Sequence, residues 1–109
     1  MKADLMREVT RVAERAGVAP IPESWAGIDV LLPLFEKMKD EGAVVVIKLD
    51  GQRVNPGDNG PYTVVVSGGR LGGDFARLDA DSLEEAAAKV IIEYASRGWG
   101  YSTKAHMGG

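Results

Sequence analysis

Apolar residues recur at helical spacing near the start of the chain, where Leu5, Val9, Val12, Ala13 and Ala16 fall on one stripe and Arg7, Glu8, Arg11, Glu14 and Arg15 lie outside it. The period predicts a helix over 5–16, ended by Gly17. "VAPIP" then predicts an extended connection, because each proline fixes its own φ and pushes the residue before it out of helical geometry. A second helix is expected between Ser24 and Glu41, with Trp25, Ile28, Leu31, Leu32, Phe35 and Met38 on one face and Gly42 as its stop. Pro33 fits either within the first turn after an Asp29 cap, where a missing N–H costs little, or as a kink in a helix that begins nearer Ser24. The early turn is preferred.

The pattern then changes to β-branched runs. "AVVVIKLDGQRV" and "YTVVVSG" predict two strands of a hairpin, joined by the turn-forming connector "NPGDNGP". In the first, Val45, Ile47 and Leu49 face one way and Val44 and Val46 the other, as in a sheet covered on both faces. "DFARLDA" alternates Phe75, Arg77 and Asp79 with Ala76, Leu78 and Ala80, the period of an edge strand with one polar side. A last helix carries Leu83, Ala86, Ala87, Val90, Ile91, Tyr94 and Ala95 on one stripe, opens on a Ser82/Glu85 capping box and ends at Gly98. The expected fold is α+β in the order helix, helix, three antiparallel strands, helix, with the sheet covered by helices in sandwich-like layers. Residues 1–98 form one domain, with 1–17 as its leading helix, and the aperiodic segment 99–109 is expected to be a flexible tail.

A length of 109 residues suits one domain, and 45% hydrophobic with 27% charged residues is ordinary globular usage. The net charge of −3 disfavours nucleic acid as a partner. Over 43–78, however, Lys48, Arg53, Arg70 and Arg77 stand against Asp50, Asp58 and Asp74, so the cations gather on the expected strands. The chain has no cysteine, which removes disulfides, thiolate metal sites and cysteine nucleophiles and suits a reducing cytoplasm. The start "MKADLMREV" lacks the apolar core of a signal peptide, and no run reaches membrane-spanning length.

"VSGGRLGGD" spaces Gly68 and Gly73 as a phosphate loop would. Such a loop also needs a following helix, a lysine and a hydroxyl, whereas here Asp74, Phe75 and a strand-like run follow. A β-turn with Arg70 and Leu71 near its tip explains the glycines. His106, the single histidine, falls in the aperiodic tail and leaves serine nucleophiles without a partner. Asp79, Asp81, Glu84 and Glu85 are hard-metal ligand types, yet acids at a helix start are explained by capping and the macrodipole. "DGQRVNPGDNG" fails the spacing of a calcium loop. No metal, cofactor or catalytic set is expected. The candidate partner-binding residues are Arg70, Arg77, Lys48 and Arg53 at the sheet edge and its loops, with Trp99 and Tyr101 as aromatic anchors or as residues folded back onto the domain.

The stretches "IPESWAGIDVLLPLFEKMKDEGAVVVIKL", "YTVVVSG" and "LDADSLEEAAAKVIIEYA" resemble small phage and prophage proteins of the phage ABA-sandwich type, over Ile21 to about Trp99. The resemblance implies a sheet layered with helices and no activity. A second similarity, to the double-stranded-RNA-binding domain, rests on the element order and on "NGPYTVVVSGGRLGG". It departs at the last helix, where Glu84 and Glu85 stand in place of that family's phosphate-binding lysines. The resulting expectation is a non-catalytic phage or prophage accessory protein, working in the host cytoplasm by binding a protein. The alternative is a nucleic-acid-binding module using the strand arginines. A homodimer through an edge strand such as 74–80 is open.

Overall fold

The first amphipathic stripe is helix α1, Ala3–Ala16, in a computed structural model that describes residues 3–53 and 59–102. Its Val9, Val12 and Ala13 are fully buried. Part of the turn-forming connector, 54–58, and the tail segment with His106 lie outside the described residues.

Trp25 belongs to the connection after α1 rather than to the face of the second helix. Its indole Nε1–H donates to the Met6 carbonyl at 3.1 Å and pins the connection to α1. A single 3₁₀ turn, Asp29–Leu31, leads into α2, Leu32–Asp40, with Pro33 in the first turn. The early placement of the proline therefore holds, but Asp29 is not the cap: Ile28 precedes the 3₁₀ turn and Leu31 precedes α2, and neither start carries a side-chain capping bond. The tighter 3₁₀ winding rotates the incoming residues relative to α2. Leu31, Leu34, Phe35 and Met38 form the buried face, and Leu32, expected on it, is 48% exposed.

Three antiparallel strands follow as a meander in the order β1-β2-β3: β1 Ala43–Leu49, β2 Tyr62–Gly68 and β3 Phe75–Ala80. Val45 opposes Val66 and Ile47 opposes Val64 across the first pair, and Val66 opposes Ala76 and Val64 opposes Leu78 across the second. α3, Leu83–Gly98, packs on β2 and β3, α2 lies beside β1, and α1 packs on the back of α3. The fold is α+β, with helices packed on an open sheet.

Ser82 caps α3, its Oγ accepting from the Glu85 N–H at 3.1 Å. The consecutive residues Ala86, Ala87 and Ala88 are all fully buried, so more than one face of α3 is covered. Small side chains let α1 and the sheet both approach it.

The glycine stretch forms a 3₁₀ turn, Gly69–Leu71, between β2 and β3, with positive φ at Gly68, Gly69 and Gly72. Leu71 is tucked inward rather than exposed at a tip. Gly69 is fixed by space as well as by φ, since a Cβ there would lie 2.5 Å from the Tyr94 hydroxyl and 2.8 Å from Ala43 Cβ.

Candidate functional site

Cross-strand register sorts the sheet into two faces. One face carries Ala43, Val45, Val64, Val66, Ala76, Leu78 and Ala80 toward the helices. On the other, Val44, Ser67 and Phe75 form one row, Val46, Val65 and Arg77 the next, and Lys48, Thr63 and Asp79 the third. Val44 is 59% exposed, Val46 50% and Phe75 58%. The double-sided apolar character of β1 thus arises from one face packed on helices and one left open, not from helices on both. This exposed apolar group, with polar residues beside it, is the candidate interaction surface.

The patch continues around the β1 edge. Asp50 N–H donates to the Pro61 carbonyl at 2.7 Å, so 50 and 61 are a hydrogen-bonded pair in the ladder. Alternation then directs the backbone of Val44, Val46 and Lys48 toward β2, and that of Ala43, Val45, Ile47 and Leu49 toward the open edge. Beside that edge a groove of about 420 Å³ runs between α2 and β1, lined by Leu32, Phe35, Glu36, Lys39, Ala43, Val44 and Val45. Leu49, on the helix-facing side but past the reach of α2, is 65% exposed.

The opposite edge is closed by charge. Gly68 N–H donates to the Asp74 carbonyl, which turns the backbone of Phe75, Arg77 and Asp79 outward on β3. There Arg97 from α3 donates to the Phe75 carbonyl at 3.3 Å and pairs with Asp74.

The cations singled out in the sequence do not form one patch. Arg53 and Arg77 converge on Asp79, at 3.2 and 3.6 Å, while Lys48 in the same row pairs with Asp50 at 3.4 Å. The Asp79 carboxyl is held below its ordinary range chiefly by the donated Thr63 hydroxyl; burial opposes this, and Arg53 and Arg77 add smaller lowering effects. Arg70 sits apart, at the Gly69–Leu71 turn, 3.6 Å from Glu41.

Trp99 and Tyr101 are folded back. Trp99 is 9% exposed, and its Nε1–H donates to both Glu41 oxygens at 2.9 and 3.1 Å. Tyr101 is half-buried and donates to Glu8 at 2.9 Å. Arg15 Nε–H donates to the Trp99 carbonyl at 2.8 Å. Trp99 and Tyr101 therefore pack on the domain rather than starting a loose tail.

Glu41 is the residue that sequence reading passed over. It accepts from the Tyr94 hydroxyl at 2.7 Å and from Trp99, with Arg70 and Lys37 each 3.6 Å away. Burial alone pushes its pKa up, but donation from Tyr94 and Trp99, with the two cations, outweighs this and holds it below the usual range. Burial and the Glu41 charge push the Tyr94 phenol up to about 12. The signal was available, since an acid at a helix C-terminus is repelled by the negative end of the macrodipole and calls for a compensating partner.

No family model matches the chain, and neither a curated protein nor a solved structure matches it. No described helix is long and apolar enough to cross a membrane.

Proposed function

We propose that this chain is a non-catalytic interaction module, an accessory protein of the phage or prophage kind, that docks a protein partner on the open face of its sheet. The observation that carries the reading is the exposure of Val44, Val46 and Phe75 together on one face. Val44, Val46 and Phe75 occupy one end of that face and Lys48, Arg77 and Asp79 the other, a mixture of apolar and charged groups that suits a protein interface. The partner's matching surface is apolar at one end and mixed in charge at the other.

Two further points favour binding over chemistry and over nucleic acid. Glu41 and Asp79 are committed to neighbours that hold them ionised, which makes them poor proton donors near neutral pH. Lys48, Arg53, Arg70 and Arg77 each lie beside a carboxylate, so few cations are left to displace counterions from a phosphate backbone.

The test is affinity capture from lysate with nuclease present, comparing the native chain with the double variant Val44→Asp, Phe75→Asp. A protein retained by the native chain and lost by a variant of unchanged melting temperature supports the reading. Equal capture by both contradicts it, and nuclease-sensitive capture of DNA or RNA transfers the case to the strand arginines.

A further inference from the structure

We propose that β1 pairs antiparallel with β1 of a second copy, joining the two sheets into one continuous sheet. The pairing stands on the edge geometry. Its functional consequence, a doubled docking platform, rests on the reading above.

A second copy is the occupant because β1 is complementary to itself. The edge-directed residues are the odd-numbered Ala43, Val45, Ile47 and Leu49, so odd positions must oppose odd positions across a new ladder. Among such registers, the one centred on Val46 overlaps the whole of Ala43–Leu49. It sets Ala43 against the second copy's Leu49 and Val45 against its Ile47, with the two Val46 side chains facing each other. Lys48 then opposes Val44, which avoids a like-charge pair at the seam.

The same register accounts for what the single chain leaves open. Leu49 of each copy is carried over Ala43 of the other, at the mouth of the groove lined by Leu32 and Phe35. That covers the two most conspicuous apolar exposures on the helix side, Leu49 and Leu32. On the open face, Arg77, Val65 and Val46 run into Val46, Val65 and Arg77 of the second copy as one row. The β3 edge, where the sequence placed self-pairing, is the less suited, because Arg97 occupies the Phe75 carbonyl and Asp74, Arg77 and Asp79 line it. β1 carries none of those guards over 43–47.

The chain has no cysteine, so a single engineered one reports the seam cleanly. At a non-hydrogen-bonded antiparallel pair the Cα atoms are about 4.5 Å apart, within disulfide reach, whereas two copies of position 44 in this register are on the order of 13 Å apart. Sedimentation equilibrium of the native chain at high micromolar concentration is expected to give twice the monomer mass, and Leu49→Lys to give the monomer. Val46→Cys is expected to oxidise to a covalent dimer far faster than Val44→Cys. A monomeric native chain, or equal cross-linking at 44 and 46, overturns the proposal. Phe75→Asp, remote from the seam on β3, separates the two readings. If it abolishes partner capture in a chain that is monomeric throughout, only the pairing fails. If it leaves capture intact in a chain that dimerises, only the platform fails.

Discussion

The Glu41 end and the β1 side of this molecule handle their awkward groups in opposite ways. At the Glu41 end a charge is drawn partly out of water and then surrounded: Tyr94 and Trp99 donate to it, Arg70 and Lys37 approach it, and Lys37 also lies 5.6 Å from the Trp99 ring centre. Tyr94 and Trp99 meet edge to face with centroids 5.2 Å apart, and Arg70 N–H donates to the Tyr94 hydroxyl. On the β1 side Val44, Val46 and Leu49 stand in solvent beside a strand edge with a neighbour on one side only. A completed network stabilises the fold and offers a partner little, whereas an apolar face gains free energy only when something covers it. On the proposed reading, the contrast gives stability to one region and association to the other.

That division is open to direct attack, and the largest expected effect lies at the closed end. Glu41→Ala strips the acceptor from two partly buried donors and is expected to destabilise the fold by about 2–4 kcal/mol, read from chemical denaturation, without altering self-association. Next comes Gly69→Ala, where positive φ and contact with Tyr94 and Ala43 combine for a loss of about 2 kcal/mol. The Glu41 charge also sets a pH response. Because the folded state depresses its pKa, the stabilisation is complete above about pH 5 and fades as pH falls through the folded-state value. Glu41→Gln is expected to flatten that acid limb in melts taken between pH 7 and pH 3. The smallest stability effects belong to the open side: Val44→Ser and Phe75→Ser each shift unfolding by less than about 0.5 kcal/mol. Should either prove as destabilising as Glu41→Ala, the division between the regions is wrong.

Much of the architecture was legible because it rests on local rules. Gly17, the Ser82 cap and the β-branched runs each act within a few residues, and the corresponding helix and strand starts and stops follow from them. What escaped the sequence depends on contacts far apart in the chain. Trp25 has the spacing of a helix residue, yet its N–H finds Met6, and Trp99 finds Glu41 across 58 positions. The four strand cations were read as one group because they share a segment, but the turn carries Arg70 to the far end of β2, beside α2. The open face was half visible: Val44 and Val46 were assigned to a common side of β1, but no periodicity tells whether a helix covers that side.

The claim that β1 presents an unsatisfied, available edge is tested most directly by residue-resolved amide exchange along 43–49 as protein concentration is raised. The account predicts slow exchange at Val44, Val46 and Lys48 throughout, with Val45 and Ile47 fast in dilute solution and protected as copies pair. Exchange at Val45 and Ile47 that does not respond to concentration, whether fast or slow, would contradict it.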